Sequence, residues 1–534
     1  MTRTRTLATC AIVAAFIGFP LALMASGAPS GAGDQPDIIM SNGAEPVLDP
    51  SLMTDIPSMN VGLGLFEGLM QYDPETNLGV PAMAESWSVS PDGLVYTFRL
   101  RQASWSDGHP VTADDFVYAM ERMLDPATAA EYAYMPCMVI KGAADFNAGE
   151  GSFDGVGIKA VDARTIQYTL TGPAPYFVDM TAHNAFWPLP RWAIEKFGDD
   201  WTKPGKIVTN GPFLLREWRP QEYVYLVRNP RYWDAAGVRL RSIMILAGDN
   251  DSTNYAMYKD GQVDWMHGVA FSRIDEIRSR PDFQCSAQIG TYFYCFNVTR
   301  PPADNVLVRR ALSAAIDKKR LVETVTKGGQ VPSDSFVPPL PGYKPQPGQG
   351  YDPEKARRML AEAGYPGGAG FPRMTIYYNT NMGHKAIAEY IKAQWKENLG
   401  IDVSLKDMEF KTFIDLRSKS HNFAVCRHGW IGDYLDPCTM LDLFVSGGGN
   451  NDGLYSNPTY DALIEAAQRS TGAERMELFE EAEETLLGDA AVLPIYYYSN
   501  LDLIDTSVWG GWHPTTMGFH PWKYIYRIVR SPDA

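Results

Sequence analysis

Alternating apolar and polar positions predict a small α+β unit in the first third of the chain. Residues 94–100 alternate with period two after a Ser-Pro-Asp-Gly turn, which indicates a β-strand. Thr112 and Asp115 have the spacing of a capping box, and the apolar residues after them recur at helical spacing. Residues 158–170 have the pattern of a β-hairpin. These elements together predict a small α+β unit over residues 66–190.

The second half of the chain alternates helix and strand patterns. Asp352 caps a predicted helix, Pro353 occupies its first position and Gly364 ends it. The elements predicted after it are a strand at 375–379, a helix at 384–399, a strand at 401–405, helices at 458–469 and 472–487, and a strand at 491–498. A strand, a helix and a strand joined in this way form a right-handed parallel unit. The pattern therefore predicts an α/β domain over residues 290–498.

The amino terminus has the pattern of a secretory signal peptide. Arg3 and Arg5 precede an apolar run from Leu7 to Met24, and small residues follow it. We predict a signal peptide at residues 1–27; the alternative is an uncleaved membrane anchor, because the run is close to the length of a span. Cys10 lies at the start of the apolar region and not after it, so we expect no lipidation. The mature protein is expected to be soluble and exported.

Charge and cysteine content exclude several classes of protein. The 534 residues include 47 Lys and Arg against 63 Asp and Glu, a net charge of −16. Such a surface repels phosphate backbones, so we expect no nucleic-acid partner. Beyond the predicted signal peptide lie Cys137, Cys285, Cys295, Cys426 and Cys438. That odd number in a long chain favours buried free thiols over a disulfide framework.

The chain lacks the usual signatures of catalysis. It contains no G-x-S-x-G, H-E-x-x-H or G-x-x-x-x-G-K-[ST] motif, and its eight histidines are scattered. Cys426 and His428 have no second pair at zinc-site spacing. We therefore expect no catalytic residues, no metal site and no cofactor. Asp433 and Asp436 are the one candidate acid pair, but in their Gly/Tyr/Pro loop a ligand contact and a cap are the favoured roles.

The richest segment runs from Val425 to Pro437. It combines Arg427, Trp430 and Asp433 with two glycines, and glycine allows the backbone to approach a ligand closely. A cation for a carboxylate, an acid for an ammonium and a ring between them are what a zwitterionic ligand needs. The alternative is an internal Arg–Asp ion pair beside a core tryptophan, and composition alone favours neither.

Several motifs resemble those of bacterial periplasmic oligopeptide-binding proteins, within family 5 of the bacterial extracellular solute-binding proteins. They are Leu65–Leu69, Ala84–Trp87, Trp105–Gly108, Asp114–Tyr118, Ala193–Gly198, Trp201–Gly205, Ile207–Pro212, Leu360–Tyr365, Gly429–Tyr434 and Pro494–Asn500. The resemblance implies an α/β fold of the periplasmic-binding-protein type (type II, three-domain cluster C), with two lobes that close on a ligand. It divides the chain into domain I (34–65, 191–289 and 499–534), domain II (66–190) and domain III (290–498).

The resemblance also implies a set of ligand-binding residues. Asp433 matches the acid that pairs with the α-ammonium of a peptide. The other positions carried over are the basic residues Arg427, His384 and Arg417 for the peptide carboxylate, the pocket walls Trp430 and Phe410, the polar aromatic residues Tyr132 and Tyr498, and Gly429.

This chain departs from the family pattern at a few positions. Ser313 replaces a lysine that can meet the carboxylate of a longer peptide, so we expect that length class to bind less well. Gly290 and Ile431 stand where close relatives have two half-cystines, so that disulfide is absent. His428 replaces a small residue, and we expect it to narrow or alter the pocket.

The function implied is capture of short peptides of about two to five residues by their free α-amino end. The protein would be a periplasmic monomer that delivers them to an ABC importer, with a permease pair and its ATPases as partners, and it would not act as an enzyme. One alternative is the same fold specialised for a murein peptide or an opine-like compound. Others are a secreted hydrolase that uses Asp433 and Asp436, and a chaperone-like or adhesive role.

Overall fold

A sheet of 11 strands runs through both halves of the molecule. The computed structural model describes residues 35–248 and 250–529, so the predicted signal peptide lies outside the described residues. The strand order is β15-β14-β16-β12-β17-β11-β1-β10-β9-β8, and β13 pairs with β17 beside this path. A second sheet has the order β4-β5-β7-β6, and two further pairs are β2-β3 and β18-β19.

In chain order, the strands of the described residues are β1 Ile38–Ser41, β2 Met70–Tyr72, β3 Gly79–Pro81, β4 Ala84–Val89, β5 Val95–Leu100, β6 Ile158–Asp162, β7 Thr165–Thr169, β8 Phe213–Arg219, β9 Tyr223–Arg228, β10 Ser242–Leu246, β11 Trp265–His267, β12 Phe283–Phe296, β13 Val331–Pro332, β14 Thr375–Asn379, β15 Ser404–Met408, β16 Val425–Ile431, β17 Val492–Ile504, β18 Trp509–Gly510 and β19 Tyr526–Arg527.

The α-helices of the same residues are α1 Ile56–Leu65, α2 Ala113–Leu124, α3 Tyr134–Val139, α4 Ala143–Asn147, α5 Phe177–Met180, α6 Arg191–Phe197, α7 Asp251–Lys259, α8 Ile274–Ile277, α9 Val306–Ala314, α10 Lys318–Leu321, α11 Pro353–Glu362, α12 Met382–Leu399, α13 Phe410–Ile414, α14 Cys438–Leu441, α15 Pro458–Arg469 and α16 Gly472–Gly488. None of the helices within the described ranges has the length and apolarity needed to span a membrane.

Two long strands connect the halves of the large sheet. Strands β12 and β17 pair antiparallel over most of their length, with register shifts in the middle. On one side of them lie β16, β14 and β15, and on the other lie β11, β1, β10, β9 and β8. The predicted domain boundaries after residues 289 and 498 therefore fall inside continuous strands.

The predicted small α+β unit forms as the pattern indicates. Strand β5 pairs antiparallel with β4 and β7, and β6 and β7 form the predicted hairpin. Helix α2 begins at the capping box, where the Thr112 backbone N–H donates to the Asp115 carboxylate at 2.8 Å. The buried Phe116 and Met120 then attach the helix to the core of the unit.

The predicted parallel unit is confirmed, with one shift. Strands β14 and β15 pair in parallel and α12 connects them. Helix α12 ends at Gly400, which takes the left-handed conformation (φ 72°) that glycine adopts readily. The strand predicted at 401–405 begins only at Ser404, where pairing with β14 starts. Ile401 and Val403 come before this pairing, and both are buried in the core. Strand β17 continues to Ile504, six residues beyond the predicted end.

Candidate functional site

A buried acid lies where the small α+β unit meets the loop after β16. The Tyr132 hydroxyl donates to Oδ1 of Asp433 at 3.0 Å, and the Tyr134 hydroxyl donates to Oδ2. The Asp433 backbone N–H donates to the Thr439 hydroxyl at 3.1 Å. Burial raises the pKa of Asp433 to about 6, although the two tyrosine hydrogen bonds oppose that rise. Among the described residues, no Lys, Arg or His forms an ion pair with this carboxylate, so its charge is uncompensated.

A cavity of about 270 Å³ lies beside this acid. Its walls come from three parts of the chain. They are the segment at the start of helix α1 (Met53, Asp55 and Ile56), the small α+β unit (Tyr132, His183 and Asn184) and later segments of the chain (Ile431, Asp433, Met517 and Phe519). The imidazole of His183 packs on the Tyr132 ring at 4.6 Å, and burial lowers the pKa of His183 to about 3. This side chain is therefore neutral at pH 7, and it adds no cation to the acidic end of the cleft.

Arg427 supplies an unpaired cation on strand β16. Its guanidinium donates to the Tyr498 hydroxyl at 3.0 Å and to the Asn379 side-chain oxygen at 3.4 Å, and it lies 4.9 Å over the ring of Tyr292. Burial opposes the charged form, yet the surrounding tyrosines outweigh it, so the pKa of Arg427 rises above its usual value. No carboxylate within the described ranges pairs with Arg427. The structure therefore contradicts the alternative of an internal ion pair between Arg427 and Asp433.

Glycine at position 429 allows Tyr498 to reach Arg427. A Cβ atom on Gly429 would lie 2.1 Å from the Tyr498 hydroxyl and 3.1 Å from the Arg427 guanidinium. Any larger side chain would displace the tyrosine, because real contacts are never so short. Gly429 is thus required for the arrangement of the cation, while its neighbours on β16 carry the side chains of the site.

His384 lies near Arg427 but does not add a second positive charge. Its Nδ1 is 3.3 Å from the Tyr292 hydroxyl. Burial, together with the nearby charge of Arg427, lowers the pKa of His384 to about 3. The imidazole is therefore neutral at pH 7, and any contact it makes with a carboxylate is that of a neutral hydrogen-bond donor.

Arg417 has an internal partner in this structure. Its Nε lies 2.5 Å from Oδ2 of the buried Asp452, and His428 Nε2 lies 3.1 Å from the same oxygen. The charge of Arg417 is therefore compensated inside the protein, unlike that of Arg427. His428 is buried and stacks on Phe293 with ring centroids 4.5 Å apart. The ring of His428 therefore packs in the core beside Asp452, and the expectation that it narrows or alters the pocket stays a prediction.

The two predicted pocket walls differ in their environment. The Trp430 ring lies 6.5 Å from the ring of Tyr134, next to the acid, and its Nε1–H is buried. Phe410 begins helix α13 and is 60% exposed. In this arrangement Trp430 packs near another site residue, whereas Phe410 lies at the surface of the protein.

Asp436 has a structural role here. Arg475 on helix α16 donates to both of its carboxylate oxygens, at 2.6 and 2.8 Å, and the Cys438 backbone N–H donates at 2.9 Å. Both oxygens are thus occupied, so Asp436 is not free to act beside Asp433. The candidate acid pair of a hydrolase does not form.

Two departures from the family pattern have clear structural settings. Ser313 is buried in helix α9, where its hydroxyl donates to the Arg309 carbonyl at 2.9 Å. Gly290 and Ile431 are directly opposite each other on β12 and β16. That pairing is the geometry in which two cysteines could be joined, and all five cysteines of the described residues are free.

Sequence patterns did not identify several residues that complete the site. Tyr134 and Thr439 contact Asp433, and Tyr292 and Asn379 contact Arg427. Each of these four residues lies on a different element. The sequence contains one signal for Tyr134. It lies two positions after Tyr132, and the hydroxyl groups of both tyrosines reach Asp433.

Comparison with known proteins defines the class. The sequence model of the bacterial extracellular solute-binding proteins, family 5 (Middle), matches residues 79–452. The chain belongs to this family, and it has the two-lobed α/β fold of its structural neighbours.

Individual relatives are similar over almost the whole length. The chain is 37% identical to the periplasmic oligopeptide-binding protein OppA of Salmonella typhimurium, covering 92% of each chain. It is 35% identical to the periplasmic murein peptide-binding protein MppA of Escherichia coli, covering 89% of this chain and 90% of the relative. The structure of Haemophilus influenzae OppA in complex with the peptide RPPGFSPFR matches with a TM-score of 0.81 and 34% identity, covering 93% of this chain and all of the other.

Proposed function

We propose that this protein is an exported peptide-binding subunit that captures short peptides by their free α-amino end and delivers them to an ABC importer. The observation that carries the proposal is the uncompensated buried carboxylate of Asp433. A buried charge is costly unless it meets an opposite charge, so this acid favours ligands with an ammonium group. The named functions of the relatives agree with a peptide ligand.

The position of Arg427 supports recognition of the other end of the peptide. It precedes Asp433 by six residues, and at about 3.3 Å per residue their Cα atoms are at most about 20 Å apart. An extended peptide of two to five residues spans roughly 7–17 Å, which is within this limit. We therefore propose this length range for ligands held at both ends. The relative from Haemophilus influenzae holds a nine-residue peptide, so the range is proposed for this chain alone.

The remaining site residues have supporting roles in this proposal. Tyr132 and Trp430 border the ammonium end, while Tyr498, Gly429 and His384 arrange the carboxylate end. We propose Phe410 and Arg417 only as outer contacts, since one is exposed and the other is paired with Asp452.

Closure of two lobes completes the proposed cycle. Domain I would comprise 34–65, 191–289 and 499–534, domain II 66–190 and domain III 290–498. Strands β12 and β17 pass between domains I and III, so bending of these two strands would open and close the cleft. The proposed working form is a periplasmic monomer whose signal peptide is cleaved and which carries no lipid.

Native mass spectrometry of the gently purified protein tests the proposal. We expect bound peptides of two to five residues with free amino ends, identified after release by sequencing. A single non-peptide mass would contradict peptide capture and favour the opine-like alternative, and a murein peptide would identify the specialised ligand. Turnover of any released peptide on incubation would contradict the binding role.

The affinity for peptides should depend on pH through Asp433. The free carboxyl has its pKa raised to about 6, so below that pH it takes up a proton, which competes with the ligand ammonium. Affinity should be highest between about pH 6.5 and 7.5, where the carboxylate and the ligand ammonium are both charged, and it should fall about tenfold per pH unit well below pH 6. Calorimetric titration with trialanine between pH 4.5 and 8 measures this dependence. An affinity that stays constant down to pH 4.5 would show that Asp433 does not meet the ammonium.

A further inference from the structure

A second uncompensated acid lies beside the ammonium site. Asp442 follows helix α14, and its carboxylate accepts one hydrogen bond, from the Gln468 side chain at 3.3 Å. Burial raises the pKa of Asp442 to about 6, and no basic residue contributes to lowering it. In the part of the chain that the structure describes, Asp442 forms no ion pair. Nothing in the function proposed above uses this charge.

Asp442 lines a narrow cavity that adjoins Asp433. The other lining residues are Tyr134, Met138, Trp430, Tyr434, Thr439, Leu443 and Asn450. Two of them also hold the first acid, because the Tyr134 hydroxyl donates to Asp433 and the Thr439 hydroxyl accepts from its backbone N–H. The cavity volume is about 10 Å³, which is room for roughly one water molecule.

The chemistry of the lining suits a small cation. The aromatic residues Tyr134, Trp430 and Tyr434 line the cavity, and aromatic rings attract cations. The Tyr434 side chain is buried, so its hydroxyl faces the interior of the protein and not bulk water. The Asp442 carboxylate, the Tyr434 hydroxyl and the Thr439 hydroxyl can each accept a hydrogen bond from an ammonium group.

We propose that this cavity binds the side-chain ammonium of a lysine or ornithine at the first residue of the ligand, with Asp442 as its counter-ion. The inference rests on the proposed function: Tyr134 and Thr439 contact Asp433 and also line this cavity, so a ligand whose α-ammonium meets Asp433 would have its first side chain next to these two residues. A ligand with two ammonium groups then neutralises both buried acids. A cavity with room for about one water molecule fits an ammonium group better than it fits the larger planar guanidinium of arginine.

Titration calorimetry with a matched set of tripeptides tests this specificity. The set is Lys-Ala-Ala, norleucine-Ala-Ala, Arg-Ala-Ala and Ala-Lys-Ala, in which norleucine keeps the length of lysine without its charge. We expect Lys-Ala-Ala to bind at least about tenfold more tightly than each of the other three. Equal affinity for the lysine and norleucine peptides would overturn the proposal.

The variant Asp442→Asn assigns the preference to this carboxylate. We expect the ratio of lysine to norleucine affinities to fall from about tenfold to within about twofold. The control Asp402→Asn removes an exposed acid, and it should keep the tenfold ratio. A ratio that survives in Asp442→Asn would overturn the role of Asp442. Failure of the unaltered protein to bind any of the four peptides would contradict peptide capture itself, whereas equal binding of all four contradicts only the lysine site.

Discussion

Replacing Asp433 by asparagine should weaken the binding of trialanine by on the order of a hundredfold or more. The substitution keeps the shape of the side chain, and the amide oxygen can still accept from Tyr132 or Tyr134. The substitution removes the negative charge that the ligand ammonium meets. Because the site is buried and its dielectric constant is low, the attraction between these two charges is strong there. Titration calorimetry at pH 7.5, where the original carboxyl is ionised, measures the loss.

A blocked peptide provides the matched control. Acetyl-trialanine has no ammonium, so it should bind weakly to both proteins and lose little further affinity in Asp433→Asn. The thermal midpoint of the variant should equal or exceed that of the original, because an uncompensated buried acid has been removed. Equal losses for free and acetylated peptides would show that Asp433 shapes the site without contacting the amino end.

Local pattern predicts the elements of this fold better than it predicts their ends. Helix α2 and strand β14 follow from capping and alternation, which depend on neighbouring residues. Strand β17 extends beyond its predicted end because residues 499–504 pair with β11 and the first half of β12. Such pairing depends on distant partners, so no local pattern contains it.

The contacts between the site residues are even harder to predict from local sequence patterns than the ends of the strands. Family motifs locate Asp433, Arg427 and Tyr132, but they do not locate Tyr134, which meets Asp433 across 299 positions of the chain. Arg417 and Arg427 have the same chemistry in the sequence, yet Asp452 compensates only the first of them. Which charges remain free for a ligand is thus decided by tertiary contacts, and those charges determine what the cleft can bind.

Breaking the ion pair between Asp436 and Arg475 should have the largest effect on stability. Both side chains are buried, and two hydrogen bonds of 2.6 and 2.8 Å join them. The guanidinium also packs 5.1 Å from the Tyr176 ring, and Tyr176 stacks on Tyr434 at 4.7 Å. Arg475→Met leaves a buried carboxylate without its cation, which should cost about 3–5 kcal/mol of folding free energy. Thermal unfolding should show a midpoint lowered by about 3–5 °C, because a chain of this size has an unfolding entropy of roughly 1 kcal/mol/K.

The double variant Asp436→Asn, Arg475→Met distinguishes a buried pair from two independent residues. It leaves no lone charge, so it should recover a large part of the stability lost in Arg475→Met. Asp433→Asn should have the opposite pattern, with lost affinity and an unchanged or raised midpoint, since its acid has no internal cation. A midpoint as low in the double variant as in Arg475→Met would show that packing, and not an uncompensated charge, causes the loss. Asp433 and Asp436 are only three positions apart in one loop. With these results, Asp436 would stabilise the fold and Asp433 would be left free for the ligand.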